Sequence, residues 1–389
     1  HWRLVRLGEG DAREYYERQL PLIEESARSN GIHPYFAQAA AQIAHHARAA
    51  GGYDKVRYDE VVGARLKGMA TLLRERGLDS SRVEKDKCEM YRFLGRNQIP
   101  HPPILTEYTD FAPLVRDIWS GHLERLVKHW PAFLKACHLT QGSEDSARKL
   151  ASPAWLHANS DPLSRWVRQK WERRPDDWSR GPEWRSNGNA LTANLTRGFV
   201  LQGPAAPVRV PELGSAHMFE MKVEVLWGRA YLASLLVDDH GGGTGEFGPF
   251  KLAARVLRGT HEGRERPYNA SEPERAFHTG LEYASHGWIF DEGHMLCVWA
   301  LAESVARRMS AEQVRVDIFL AKGEPARCVV NEISLSSGSP MGADERYAAM
   351  AWVKPLAEGA FKTLSGDLPP VYACENDGCV VATVERAHA

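Results

Sequence analysis

Several features that would classify a chain at once are missing from this sequence. No apolar run approaches the roughly 20 residues that span a bilayer, so no membrane segment is expected. Neither sign of charge dominates: 49 Lys and Arg stand against 50 Asp and Glu, which removes the basic field that gathers nucleic acid or a membrane surface. Six cysteines in 389 residues are too sparse for a disulfide framework. Cys374 and Cys379 bracket Glu375-Asn376-Asp377-Gly378 and could meet across a turn, but no second pair supplies zinc spacing. The glycine loop Gly241–Gly243 with Gly245 lacks the order of either phosphate-binding fingerprint and is expected to be a flexible connection or lid. No repeat with a period of roughly 20–50 residues is visible. The chain starts at His1 with no charged-then-apolar leader, so a processed or excised piece is expected, with a reducing cytoplasm as the default compartment.

What is present is helix and strand in alternation. Ala12–Ala27, Pro34–Ala50 and Asp59–Arg76 carry apolar residues at three- and four-residue spacing, and Gly77 is a candidate C-cap. Ser80 or Ser81 is expected to cap a helix over Val83–Gly95, which exits through Ile99-Pro100. Ile104-Leu105 begins a strand, Phe111–Leu126 a helix, and Ala132–Cys137 a short buried strand. Gly198–Leu201, Phe219–Trp227 and Tyr231–Val237 read as strands, the last two joined at Trp227-Gly228-Arg229. The helix Cys297–Met309 leads into two β-branched runs around Lys322-Gly323-Glu324-Pro325. Half of the 12 tryptophans crowd into Trp130–Trp184. There they interleave with arginines, a pattern that can stack on single-stranded nucleic acid; with the charge balanced, a packing insertion is expected instead.

Four segments carry chemistry. Lys85-Asp86-Lys87 opens a helix; the strand Phe133–Cys137 holds Lys135 and is followed by His138, Gly142 and Ser143; Glu220–Gly228 holds Lys222; and a hairpin would set Arg315-Val316-Asp317 beside Glu332-Ile333-Ser334. Two carboxylates on neighbouring strands suit Mg²⁺, which takes few protein ligands and completes its shell with phosphate oxygens and water. Taken singly, each has a plainer reading: solvated acids on an ordinary hairpin, or a lysine whose stem lies along apolar surface. Cys137 fits a small buried residue better than a nucleophile. His278, His286 and His294 recur at eight-residue intervals, but Gly287, Trp288 and Gly293 interrupt them, so no three-histidine metal site is expected.

In order and spacing these segments resemble the ATP-grasp superfamily and, within it, the TupA-like group associated with teichuronopeptide biosynthesis. The resemblance spans roughly residues 80–345, and the Arg315–Asp317 and Glu332 segments are its most specific part. It implies an α+β ATP-grasp fold, two subdomains gripping a nucleotide, after a helical N-terminal region at 1–84. The first subdomain would run over 85–203 with the Trp/Arg insertion at 150–195, the second over 204–354, and a C-terminal extension over 355–389. ATP and Mg²⁺ are the implied cofactors. Lys87, Lys135 and His138 would contact phosphates; Gly142 and Ser143 would close over them; Gln202 would stand beside adenine. Asp317 and Glu332 would hold Mg²⁺, with Ser334 where the superfamily has Asn. Lys222 would approach phosphate or the acceptor. Arg315 would stabilise an acyl phosphate or tetrahedral oxyanion, or else pair with Glu332 or Glu303.

The implied activity is ATP-dependent carboxylate–amine ligation through an acyl phosphate, on a small-molecule, peptide or glycan acceptor. A kinase acting on a hydroxyl and a non-catalytic nucleotide- or glycan-binding module are the alternatives. Substituting Asp317 or Glu332 is expected to abolish turnover with folding nearly intact. No membrane or nucleic-acid partner is expected, and the oligomeric state is left open.

Overall fold

Two antiparallel sheets organise the chain in the computed structural model. The structure describes residues 32–80, 82–139, 146–175, 182–205, 208–210, 215–217, 219–238, 250–257, 287–324, 327–336, 345–357, 372–375 and 378–381. The expected helix Ala12–Ala27, the glycine loop at 241–245, His278 and His286 lie outside them. The fold is α+β, as the resemblance implied. The first sheet comprises β1 (Ile104–Tyr108), β2 (Ala132–Ala136), β3 (Ala147–Leu150) and β4 (Phe199–Gln202), in the order β1-β4-β2-β3. After a small pair, β5 (Val208–Val210) and β6 (Ser215–His217), comes the second sheet. Its strands are β7 (Phe219–Leu226), β8 (Arg229–Asp238), β9 (Phe250–Leu257), β10 (Gln313–Leu320) and β11 (Cys328–Ser334), in the order β11-β10-β7-β8-β9. A last hairpin, β12 (Tyr372–Glu375) and β13 (Gly378–Val381), sets Cys374 opposite Cys379. Among the described residues no helix is long and apolar enough to cross a membrane.

Strand alternation gives the second sheet two unlike faces. Met221, Val223 and Val225 on β7 and Val314, Val316 and Ile318 on β10 are fully buried, and the helix His294–Met309 packs over this side. Each such valine or isoleucine contributes about 1.5–3 kcal/mol on burial. The other face is polar: Glu220, Lys222 and Glu224 alternate on β7, and Gln313, Arg315 and Asp317 on β10. The helices Pro34–Ala49 and Tyr58–Arg76 share one apolar core with this sheet, while a second core lies under the first sheet.

The Asp86-Lys87 pair opens a helix, as expected, and the single helix expected over Val83–Gly95 is broken just before it. A single turn, Arg82–Lys85, ends at Asp86, and a new helix runs over Lys87–Arg96. Asp86 is its N-cap, accepting hydrogen bonds from Cys88 N at 2.9 Å and Glu89 N at 3.3 Å. For this helix the cap is a carboxylate that satisfies two orphan N–H groups at once; of the expected caps, Ser81 lies outside the described residues. The expected helix Phe111–Leu126 is likewise interrupted, at Gly121 with φ 70°. Gly77 closes the helix Tyr58–Arg76 in the left-handed region, as its position suggested. Two disulfides, Cys88–Cys137 and Cys297–Cys328, correct the reading from cysteine counts. Sparsity argues against a framework of bridges and is silent on single ones. Cys137 is therefore bonded rather than merely buried.

Arg65 ties the helices to the second sheet. It is 0% exposed and donates to Gln313 Oε1 (2.6 Å), Leu335 O (2.8 Å), Glu312 Oε2 (3.0 Å) and Gln313 O (3.0 Å). Its guanidinium also lies 5.4 Å and 5.5 Å from the rings of Phe36 and Trp352. Arg65→Met strands the buried Glu312 carboxylate and is expected to cost about 3–5 kcal/mol in urea unfolding. Adding Glu312→Gln should restore a large part of the loss. An unchanged midpoint in the single variant would show that the pair does not hold the helices down.

Candidate functional site

The hairpin predicted around Lys322-Gly323 forms, and its register sets Asp317 opposite Glu332 and Arg315 opposite Ser334. On the other side of β10, Asp317 pairs with Lys222 and Arg315 with Glu224. Asp317, fully buried, is gripped from both sides: Arg315 donates from Nε to Oδ1 (2.8 Å) and from Nη2 to Oδ2 (3.0 Å), and Lys222 donates to Oδ2. Lys222 also lies 2.8 Å from Glu220. Arg315 thus pairs with Asp317 of its own strand, and Glu303 instead accepts from Ala230 N at 3.0 Å.

The first sheet reaches the same place. Lys135 projects from β2 and donates to Tyr91 Oη and Asn331 Oδ1, both at 3.3 Å. Tyr91 donates to Gln202 at 3.1 Å, and Asn331 donates to Glu220 at 2.7 Å. Asn331 occupies a bulge, the irregularity between Asp317 and Ile318 in the pairing of β10 with β11. Lys87, at the start of its helix, donates to Leu139 O (2.9 Å) and Ser146 Oγ (3.4 Å). A chain of polar contacts therefore runs from Gln202 and Lys135 through Tyr91 and Asn331 to Glu220, Lys222, Asp317 and Arg315.

Charge is unevenly satisfied along that chain. Burial would raise the Asp317 carboxyl, but Arg315 and Lys222 outweigh it and hold the group below the usual carboxylate range. Burial raises Glu220 despite Lys222. Burial, with Lys87 beside it, lowers the Lys135 ammonium to about 8, against the pull of Glu332 and Glu220. Burial lowers Lys87 too. Glu332 acts electrostatically on Lys87, Lys135, Lys222 and Arg315, yet its carboxylate makes no hydrogen bond or ion pair among the described residues. A half-buried carboxylate without a partner, beside a second one and facing lysines from another sheet, has the oxygen donors that suit Mg²⁺. Another close group, Asp86 with Cys88 and Cys137, offers no thiolates because its sulfurs are bonded to each other.

Of the residues expected at the site, Lys87, Lys135, Gln202, Lys222, Arg315, Asp317 and Glu332 are brought together. Ser334 stands one rung away and donates to Glu84 at 3.0 Å. Glu84 also accepts from Ser336 and pairs with Lys85 at 3.0 Å. His138 is turned away: buried, its Nε2 lies 3.1 Å from Lys170 O. Gly142 and Ser143 lie outside the described residues. Tyr91, Asn331 and Glu84 were missed. Asn331 stood in plain view before Glu332, but only a count of ladder partners reveals a bulge.

No protein-family model and no curated protein matches the sequence. Among solved structures, the chain is similar to L-amino acid ligase from Bacillus licheniformis at 13% identity, 80% of this chain, 59% of that chain and TM-score 0.42. It is similar to D-alanine–D-alanine ligase from Bacillus anthracis complexed with ATP at 12% identity, 77% and 74% coverage and TM-score 0.39. An ATP-grasp ligase, PsnB, complexed with minimal precursor gives 12%, 76%, 70% and 0.36. The chain spans 59% of the length of the L-amino acid ligase. Likenesses this distant are recorded as such; the chemistry rests on the residues.

The two acids should respond differently to substitution. Asp317→Asn leaves the buried Arg315 without its carboxylate and the half-buried Lys222 with Glu220 alone, and is expected to cost about 3–5 kcal/mol, contrary to the expectation of intact folding. Glu332→Gln, whose carboxylate has no partner to lose, should stay within about 0.5 kcal/mol of wild type. Denaturant midpoints decide this, and equal losses would mean that Glu332 is structural.

Proposed function

We propose that the chain is an ATP-grasp enzyme, akin to the TupA-like proteins, that joins a carboxylate to an amine with ATP. One observation carries this reading: Glu332, without a hydrogen-bond partner among the described residues and register-paired with Asp317 on one sheet, lies within electrostatic reach of Lys135 on the other. That arrangement matches what phosphoryl transfer requires, namely carboxylates for a divalent cation and lysines for phosphate oxygens. Asp317 and Glu332 would hold Mg²⁺, which when bound neutralises charge on the phosphates. Lys135 and Lys87 would bind phosphate oxygens, and Gln202, with Tyr91 against it, would border the base.

In the proposed reaction a substrate carboxylate oxygen attacks the γ-phosphorus. The bond to the bridging oxygen breaks, ADP leaves, and an acyl phosphate remains. An amine nitrogen then attacks the carbonyl carbon, loses a proton, and displaces phosphate as the amide forms. Arg315 is oriented by Asp317 and would lend positive charge to the oxyanion. The acid and amine belong to small molecules, peptides or glycans. Work on ATP would place the chain in the cytoplasm.

Calorimetric titration of Mg²⁺-ATP into wild type and Glu332→Ala tests the assignment. Metal-dependent binding weakened at least tenfold in the variant is expected, and equal affinity removes Glu332 from the site. With an accepted substrate pair, phosphate release in step with amine consumption marks a ligase, and ADP without free phosphate marks a kinase. Folded wild type that binds no nucleotide would leave at most a non-catalytic module.

Lys135 supplies a second test. At about pH 8 the empty protein holds it half protonated; an arriving phosphate raises its pKa, so binding takes up about half a proton there and weakens as pH climbs further. Titrations in two buffers of different ionisation enthalpy should show this uptake in wild type and lose it in Lys135→Arg. Buffer-independent heats in wild type would show that the lysine meets no anion.

A further inference from the structure

The Trp/Arg stretch, which the strand-borne cluster leaves unused, builds a cavity of its own. Trp166 is buried and Trp155 and Trp171 pack against the core beneath the first sheet, so the tryptophans are packing residues. The arginines gather elsewhere. Arg173 and Arg174 follow the helix Ser160–Glu172, Thr192 and Asn194 end the helix Pro182–Thr192 and its exit, Arg197 precedes β4, and His138 follows β2; together they line a cavity of about 230 Å³.

This cavity lies on the far side of the first sheet from the cluster. Along β2 the side chains alternate: Lys135 faces Tyr91 and Asn331, while Leu134 and Ala136 join Trp166, Val167 and Phe199 in the core below. His138 contacts that lower layer through Lys170 O. A carbonyl only accepts, so His138 Nε2 carries the proton, and its buried Nδ1 has no hydrogen-bond partner among the described residues. Burial, with Arg197 and Lys87 nearby, keeps the imidazole neutral, its pKa lowered to about 4.

Three guanidiniums line the cavity, and no carboxylate does among the described residues. Like charges lining one cavity favour an anion there, and guanidinium forks match phosphate and carboxylate oxygens in geometry. The stack of Arg197 over Trp171, at 6.0 Å, holds one fork in place. The volume falls below the roughly 300–1,000 Å³ that a drug-sized ligand needs, which suits an anionic group and not a whole nucleotide. We propose that this cavity binds a phosphate or carboxylate group of a small molecule, at a site separate from the strand-borne cluster. The proposal does not depend on the reaction assigned to the cluster.

Calorimetric titration of inorganic phosphate and, separately, of succinate into wild type, Arg174→Ala, Arg197→Ala and Lys135→Ala tests it. Saturable binding of at least one anion is expected, weakened tenfold or more in both arginine variants and kept within twofold in Lys135→Ala; whichever anion binds tells phosphate from carboxylate. Arg174 is exposed, so its variant should melt like wild type and its affinity can be read without a folding defect. Binding lost in Lys135→Ala and kept in the arginine variants would move the anion to the cluster. Folded wild type that binds neither anion would end the proposal.

Discussion

A carboxylate with no access to water is tolerable only if cations and hydrogen bonds replace what solvation gave it. Asp317 meets that condition through Arg315 on its own strand and Lys222 across the ladder. The requirement spreads outward. Lys222 needs Glu220, Glu220 needs Asn331, and Asn331 in turn meets Lys135 from the other sheet. The polar face of the second sheet is therefore a connected array in which each member fixes the next. Buried arrays of this kind cost stability when incomplete and specify one arrangement when complete.

The array also sets how the two sheets meet. Contacts across the junction include Val330 N bonding to Pro100 O at 2.8 Å, side-chain bonds through Tyr91, Asn331 and Lys135, and the bonds of Ser334 and Ser336 to Glu84. Apolar packing accompanies them: Val200 on β4 and Met90 and Leu94 on the helix Lys87–Arg96 belong to the core that the second sheet shares with the helices of residues 34–76, while the opposite face of the first sheet packs on a separate core. The lysines and carboxylates lie along the polar side of this junction.

Much of this layout was legible in the chain. The β-branched runs around Lys322-Gly323 gave the hairpin, and period-two alternation gave its charged face, because side chains on paired strands follow a rule as simple as parity. What parity cannot show is an inserted residue, so the bulge at Asn331 stayed hidden. Helix breaks were missed where one side chain decided them: Asp86 caps from within a pattern that reads as continuous helix, and Gly121 takes a left-handed φ. His138 was aligned with Lys135, but it lies three residues further along, an odd step that sends its side chain to the other face. The tryptophans were readable as packing, but the convergence of Arg173, Arg174 and Arg197 needed the tertiary structure to bring residues 24 apart to one cavity.

The Cys88–Cys137 bond bears on how such a junction can move. It joins the residue after Lys87 to the residue two beyond Lys135, with Lys87 N also bonded to Cys137 O at 2.9 Å. Closed over 49 residues of sequence, it removes about 4 kcal/mol of chain entropy from the unfolded state in the loop-closure picture. Its mechanical effect is local. With the bond intact, the two lysine backbones behave as a single jaw of fixed gape. Any approach to the carboxylates must then be a motion of that jaw as a whole against the second sheet, and opening the bond would let each lysine travel with its own element.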